Sequence, residues 1–272
     1  MTVTSIASNI FRPLVSSIRH LSLLRGFIGK EVRGQFAGTM AGMLWALMNP
    51  LVTILIYMFV FSVVIRVAVT VEETGTDSFF IYFVTGFVPW LIFSSGLTRA
   101  TGSLLDNASL ITKVIFPVEL IPVTSVLSSL IINGIGFIIL IVFLSFESFL
   151  AFSWLLMAAV LPLQILFTLG LAMFFSATCV FIRDLREMSG LIIMVWFFLT
   201  PIIYPISLVP DNIRSIIELN PMYMIVSLYR EVLIMNTFSL DLYLTAAVIS
   251  VAVYSLGSLF FMRAKSGFGD VL

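Results

Sequence analysis

The chain has 272 residues, of which 60% are hydrophobic and only 10% are charged, and its mean hydropathy is +1.16. A soluble domain carries about 25% charged residues, so this chain has too few ionisable side chains to cover a water-exposed surface. Its 14 basic residues balance its 14 acidic ones, which excludes a basic nucleic-acid-binding surface. The single Cys179 and the single His20 exclude a disulfide framework and a Cys/His metal site. We therefore expect a protein surrounded mainly by membrane lipids.

The first 40 residues predict an amphipathic helix in the membrane interface. Ile10, Leu14, Ile18 and Leu21 recur at helical spacing, and the basic residues fall between them. We expect no cleaved signal peptide here, because basic residues interrupt the stretch and no small-residue cleavage site follows an apolar region. Two interpretations stay open: a plain membrane anchor, or a segment that also contacts a partner.

Small residues recur every four positions at the entry to the first apolar stretch, namely Gly34, Gly38, Gly42 and Ala46. In lipid, a stripe of small residues allows another helix to approach closely. We favour packing within the chain, and packing across a dimer is the alternative.

Six apolar stretches are long enough to cross about 30 Å of hydrocarbon, which takes about 20 helical residues. They occupy residues 41–65, 79–98, 120–146, 152–182, 188–209 and 242–262. We predict an all-α membrane protein with six transmembrane helices in a single transmembrane domain over residues 1–272. Within it, residues 1–40 form the interfacial segment, residues 41–262 the six spans and residues 263–272 a cytoplasmic tail.

The fifth stretch contains two closely spaced prolines. Thr200-Pro201 and Tyr204-Pro205 interrupt a continuous helix, because proline lacks an N–H donor and clashes with the preceding turn. We expect the second half of this stretch to be a broken, re-entrant segment that packs inside protein. Pro201, Tyr204 and Pro205 are candidates for an external gate, and a rigid plug without motion is the alternative.

The basic residues orient the six spans. An even number of spans puts both termini on one side, and eleven of the 14 basic residues fall on that side. The opposite side has only Arg66, Arg214 and Arg230, beside eight acidic residues. The excess of Lys and Arg in cytoplasmic loops predicts that both termini are cytoplasmic.

The cytoplasmic connection at residues 99–119 predicts a short helix. Asn107 and its polar neighbours can cap or bend it, and Pro117 ends it. Its apolar side consists of Leu110, Ile111, Val114 and Ile115. A helix of this kind can dock in a groove on a soluble protein. The alternative is a surface loop that only joins two spans.

The sequence has no nucleotide-hydrolysing motif. Its Gly29-Lys30 pair is followed by Glu31 and lacks the upstream glycine of a phosphate-binding loop. No Gly-x-Ser-x-Gly elbow or serine with a plausible histidine partner indicates nucleophilic hydrolysis. We therefore expect a transport subunit rather than an enzyme, with no cofactor in this chain.

Several motif blocks occur in one order along nearly the whole chain. They are residues 36–45 (FAGTMAGMLW) with 49–51 (NPL), 86–93 (GFVPWLIF), 107–117 (NASLITKVIFP), 181–184 (FIRD) with 200–205 (TPIIYP), 220–221 (NP) and Arg230. This series resembles the type-2 permeases of ATP-binding-cassette (ABC) transporters. Within them it resembles the branch that exports O-antigen, capsule and teichoic acid.

The resemblance implies a half-transporter in a bacterial cytoplasmic (inner) membrane. It pairs with a second copy of itself and with two copies of a separately encoded nucleotide-binding ATPase, which carries the ATP and Mg²⁺. In this family the connection after the second span is a coupling helix. The resemblance therefore assigns ATPase coupling to Asn107, Leu110, Lys113, Phe116 and Pro117, with the interfacial residues Arg25, Lys30, Glu31 and Arg33 in addition.

Aromatic residues are the candidates for a translocation path, because rings can hold the apolar faces of a sugar polymer through weak, repeated contacts. The candidates are Tyr57, Phe61, Phe87, Trp90, Trp196 and Phe197. The alternative is that these rings face lipid or belong to the interface belts.

We hypothesise ATP-driven export of a lipid-linked polysaccharide, such as O-antigen, through a channel at or near a homodimer interface. Teichoic acid, capsule, and a small lipid or drug are alternative substrates. A passive channel or scaffold of a secretion machine is the alternative of another class.

Overall fold

The computed structural model describes residues 3–35, 37–38, 42, 44–114 and 116–272, and side chains from residue 10 onward except at 46 and 47. Residues 36, 39–41, 43 and 115 lie outside this description. They include part of the first motif block, the start of the first predicted span and Ile115 of the connection. In chain order the α-helices are α1 (Val3–Arg19), α2 (Leu21–Gln35), α3 (Leu44–Met58), α4 (Val71–Thr74), α5 (Phe79–Asp106), α6 (Ala108–Lys113), α7 (Leu120–Phe146), α8 (Met157–Phe181), α9 (Leu185–Phe198), α10 (Asp211–Glu218), α11 (Pro221–Arg230), α12 (Leu240–Ala264) and α13 (Phe268–Val271).

The described residues contain helices and no strands, which confirms the predicted all-helical class. Within the part of the chain that the structure describes, four helical stretches are long and apolar enough to cross a bilayer, and they correspond to the second, third, fourth and sixth predicted spans. They are Val71–Asp106, Leu120–Phe146, Phe152–Phe181 and Leu240–Val271.

The helices at the first and fifth predicted spans are shorter. A π-helical turn, Phe59–Val64, extends α3, and the apolar part of this helix is Met48–Val64. α9 ends at Phe198, ahead of Pro201. Beyond the prolines, α10 lies at the surface with its Ile217 buried, whereas most of α11 is buried.

The N-terminal segment forms two helices where the sequence predicted one. The helical hydrogen bonds from His20 N to the Ser16 carbonyl and from Leu24 N to the His20 carbonyl continue across the junction, so the interruption is a single residue. Ile10 and Leu14 pack against buried residues of the long helices. The rest of the apolar stripe, Ile18 and Leu21, is exposed.

The small-residue stripe does not form a continuous helical face. α2 ends at Gln35, and Gly38 and Gly42 have φ angles of +80° and +51°, a left-handed conformation that glycine adopts readily. No described atom lies within 4 Å of a Cβ placed on Gly34, Gly38 or Gly42. The prediction of close packing within the chain at these glycines is therefore wrong. The side chain of Ala46 lies outside the described residues.

The close helix approach occurs instead between α8 and α12. A Cβ on Gly170 would lie 2.5 Å from the Cα of Tyr254, and a Cβ on Gly257 would overlap the Gly170 carbonyl. These two glycines therefore let the two backbones touch.

Both chain ends lie at the same end of the bundle. The Ser258 hydroxyl near the end of α12 donates to the Ile10 carbonyl at 3.0 Å. Lys265, just beyond α12, pairs with Glu119 at the start of α7 at 2.7 Å. The same end carries α6, which packs against α13.

Candidate functional site

A cavity of about 670 Å³ separates α2 from α6. Four of the predicted coupling residues line it, namely Lys30, Asn107, Leu110 and Lys113. The connection is shorter than the predicted range of residues 99–119, because α5 continues to Asp106 and only six residues form α6. Asn107 precedes α6 and donates through Nδ2 to the Ser103 carbonyl at 2.9 Å. The structure thus brings the interfacial helix and the connection together around one cavity.

A second cavity of about 670 Å³ adjoins the first, and its lining includes Lys30, Glu31 and Asn107. The half-buried Glu31 accepts a hydrogen bond from the Ser128 hydroxyl of α7 at 3.3 Å. Burial raises the pKa of the Glu31 carboxyl above 4.5, although the charge of Arg99 and hydrogen bonds from α7 act in the opposite direction. Glu31 therefore ties α2 to α5 and α7.

Arg186 and Asp106 form an ion pair at this cavity, with Nη1 and Oδ1 separated by 2.8 Å. The pair joins the end of α5 to the start of α9. Gly102 leaves space for the arginine, since a Cβ there would lie 3.2 Å from Arg186 Nε. Both charges lie in stretches predicted to be cytoplasmic, but no local sequence pattern indicates that they pair.

Phe116 and Pro117 lie apart from the first two cavities. The Phe116 ring contacts Phe27 of α2 with a centroid separation of 5.1 Å, and both predicted residues line a cavity of about 430 Å³ beside Glu119 and Lys265. Burial alone would raise the pKa of Glu119, but the hydrogen bond from Lys265 helps to outweigh it, and the net pKa falls below 4.5.

The remaining two predicted coupling residues do not line these cavities. Arg25 is exposed on α2. Arg33 is also exposed, and its Nε donates to the Gly29 carbonyl of its own helix at 3.1 Å. Both are therefore surface residues of the interfacial helix.

The six predicted path residues belong to one aromatic cluster of α3, α5 and α9. Tyr57 is central, with centroid separations of 5.4 Å to Phe197, 6.0 Å to Phe61 and 6.1 Å to Phe87. Trp90 lies 5.5 Å from Phe197, and Trp196 joins through Phe93. The rings differ in exposure: Phe87, Trp90 and Phe197 are buried, whereas Tyr57, Phe61 and Trp196 are half-buried.

The chain between α9 and the following 3₁₀ turn is irregular, and we call residues 199–205 the proline segment. Its predicted gate residues Pro201 and Pro205 are buried, and Tyr204 is half-buried. The Tyr204 hydroxyl donates to the Phe198 carbonyl at 2.8 Å. The Tyr82 hydroxyl of α5 donates to the Tyr204 carbonyl at 2.7 Å and to the Pro201 carbonyl at 3.2 Å.

Arg230, a member of the motif series and one of the three basic residues predicted on the external side, also reaches the proline segment. It lies in a buried apolar helix, and its Nη1 donates to the Pro201 carbonyl at 2.8 Å. An arginine within the apolar stretch at residues 221–235 is a sequence signal for such a contact, because a buried charge needs polar partners.

The family model described as "ABC-2 type transporter" matches residues 23–234, from α2 to the π-helical turn that follows α11. The chain belongs to this family. As an ABC-2 permease it is a membrane subunit for transport, and the ATPase of the transporter is a separate subunit.

Curated relatives of this ABC-2 permease include two O-antigen export system permease proteins RfbA. The one from Klebsiella pneumoniae is 29% identical over 202 residues, which cover 71% of this chain and 75% of the relative. The one from Myxococcus xanthus is 28% identical over 193 residues, with coverages of 69% and 74%. The polysialic acid transport protein KpsM from Escherichia coli is 24% identical over 156 residues, with coverages of 57% and 60%.

Proposed function

We propose that this permease exports a lipid-linked polysaccharide of the O-antigen class across the bacterial cytoplasmic membrane. The observation that carries the proposal is the similarity to O-antigen export permeases over about 70% of the chain. The weaker similarity to a polysialic acid transport protein favours a capsule-type polysaccharide as the second candidate.

In this proposal the chain crosses the membrane six times and both termini are cytoplasmic. α3 and α9 supply the two short crossings, and the backbone beyond α9 remains inside protein at the external side. The proposal is supported by the excess of basic residues on the side of the termini and by the position of both chain ends beside α6.

ATP binding and hydrolysis, with Mg²⁺, take place on two copies of the partner ATPase. The ATPase docks at α6 and α2, where Lys30, Asn107, Leu110 and Lys113 surround one cavity. Phe116 holds the connection against α2, Glu31 links α2 to α5 and α7, and the Arg186–Asp106 pair links α5 to α9. Because of these links, movement of the ATPase displaces helices as bodies.

The translocation path runs along α3 and α9 between two copies of the chain. Apolar side chains of both helices are exposed in the single chain, among them Leu55, Phe59, Met194 and Phe198. The half-buried rings of Tyr57, Phe61 and Trp196 contact the apolar faces of the sugars, and the buried rings support them from behind. Pro201, Tyr204 and Pro205 close the external end.

The coupling assignment is tested by replacing Lys113 with Gln and Phe116 with Ala. We expect both variants to bind the ATPase more weakly and to export less glycan, because Lys113 is exposed at the cavity and Phe116 holds the connection against α2. Arg263→Gln is the control, since Arg263 is exposed at the same end of the bundle but does not line the cavities. Full export together with unaltered ATPase association in both variants would refute the coupling role.

A further inference from the structure

Arg230 is buried without an acidic partner among the described residues. Its guanidinium carbon lies 3.7 Å from the centroid of the Tyr82 ring. Nη1 donates to the Pro201 carbonyl at 2.8 Å, and Nη2 donates to the carbonyls of Ile202 and Tyr82 at 3.2 Å each. Nε has no hydrogen-bond partner in the described part of the chain. Carbonyl dipoles and one aromatic ring therefore balance this charge.

The side chains of Arg230 and Tyr82 hold the downstream half of the proline segment, residues 201–205. A segment without regular secondary structure must find partners for its buried carbonyls. Arg230 and Tyr82 supply hydrogen bonds to the carbonyls of Pro201, Ile202 and Tyr204. The upstream half is held separately, by Asn220.

Space for this arrangement is provided by a glycine of α5. A Cβ on Gly86 would lie 2.7 Å from Arg230 Nη2 and 3.1 Å from a methyl carbon of Val226. A methyl group at position 86 must therefore displace the guanidinium, although it removes none of the donors. This position offers a way to disturb Arg230 without replacing it.

We infer that Arg230 and Tyr82 form a latch that holds the proline segment closed, and that the latch opens when the permease transports. The inference rests on the proposed function, in which this segment closes the path. Water or sugar hydroxyls can replace carbonyl partners when the segment moves away, whereas a fixed carboxylate would keep the arginine in place. Arg230 and Tyr82 are thus positioning residues for the gate.

The test measures how fast a cysteine in the segment becomes accessible. Cys179 is replaced by Ala, and Ile203, which is 2% exposed, is replaced by Cys. A membrane-impermeant maleimide is added from outside to the permease with its ATPase. We expect Arg230→Gln, Tyr82→Phe and Gly86→Ala each to increase the labelling rate about tenfold. Gly96→Ala on the same helix is the control, because its Cβ makes ordinary contacts of 3.4 Å or more.

A second reporter separates a latch from general loosening of the fold. Val160→Cys lies in the same hydrophobic core at 0% exposure, but on α8 rather than on α5, α11 or the proline segment. Faster labelling at Ile203→Cys alone supports the latch. Equal acceleration at both reporters, or no acceleration at Ile203→Cys, overturns it. The labelling assay needs no glycan, so it tests the latch independently of export. A failure of the unmodified chain to export glycan would refute the proposed function and leave the labelling rates unaffected.

Discussion

Glu119 and Glu31 are two carboxyl groups at the end of the bundle that carries both termini. They are buried by different amounts, and their hydrogen-bond and ionic partners determine how each one affects stability. Glu119 is 3% exposed and accepts a hydrogen bond from Lys265 at 2.7 Å. Its lowered pKa means that its stabilising contribution is present above pH 4.5 and is lost as the pH falls through the lowered value. The half-buried Glu31 has a raised pKa, so its contribution to stability depends on pH in the opposite direction.

Replacement of Lys265 by Met should destabilise the protein near neutral pH. The Glu119 carboxylate would stay buried without its cationic partner, and a buried unpaired polar group costs about 1–3 kcal/mol. Thermal unfolding in detergent measures the loss. The double variant Lys265→Met with Glu119→Gln should recover part of the stability, because the buried charge is gone. A single variant as stable as the unmodified chain would contradict this role.

Glu31→Gln should raise Tm near neutral pH. Because burial raises the pKa of Glu31, its contribution to stability is present below pH 4.5 and is lost as the pH rises through the raised value. The advantage of the neutral variant should therefore shrink as the pH approaches 4.5. Glu187→Gln is the control for removing an exposed carboxylate at the same cavity. An advantage of Glu31→Gln that grows toward low pH would be inconsistent with this explanation.

At the scale of elements, the sequence predicted the long helices better than their contacts. α5, α7, α8 and α12 follow from uninterrupted apolar stretches, since hydrocarbon requires every backbone group to be paired within the helix. The two prolines indicated an interruption, and α9 ends at Phe198. The single-residue junction at His20 was not predictable, because the amphipathic pattern continues across it.

Close helix packing was predicted at the wrong glycines. Gly34, Gly38 and Gly42 have the expected spacing, but that spacing has meaning only if the backbone between them is helical, and two of them have positive φ. Gly170 and Gly257 lie 87 positions apart in the sequence, so no local pattern marks them as a pair. Only the tertiary structure brings them into contact.

Gly257→Ala should weaken the association of α8 with α12. The added methyl group would overlap the Gly170 backbone, and overpacking of a tight contact costs about 1–3 kcal/mol. Thermal unfolding in detergent provides the measurement. Gly190→Ala is the matched control, because no described atom lies within 4 Å of the added carbon. Equal Tm values for the two variants would contradict this prediction, because they would show that α8 and α12 can move apart to accommodate the methyl group at little cost.

We expect the aromatic cluster of α3, α5 and α9 to contribute to glycan export. Tyr57→Leu and Phe61→Leu should slow glycan export while ATPase binding is retained, because they remove half-buried rings of the proposed path and leave the coupling surface unchanged. Phe80→Leu is the control, since Phe80 of α5 packs against Phe143 of α7. Export rates that fall equally in all three variants would indicate a general packing role.

At the scale of the whole molecule, the candidate site combines elements that are distant in the sequence. The resemblance of the motif blocks identified α6 and the interfacial helix, and the structure places four of their residues around one cavity. The partners Arg186 and Asp106, and the contacts of Arg230 with the proline segment, join residues 28 to 80 positions apart. Charge and hydropathy patterns locate such residues on a side of the membrane but cannot pair them.

We propose that this permease moves a polysaccharide only when a separate ATPase drives it. The most direct measurement is glycan translocation in proteoliposomes that contain the permease alone, the ATPase alone, or both, each with and without ATP. We predict translocation only with both proteins and ATP. Translocation by the permease alone, or ATP hydrolysis by the permease without its partner, would contradict the claim.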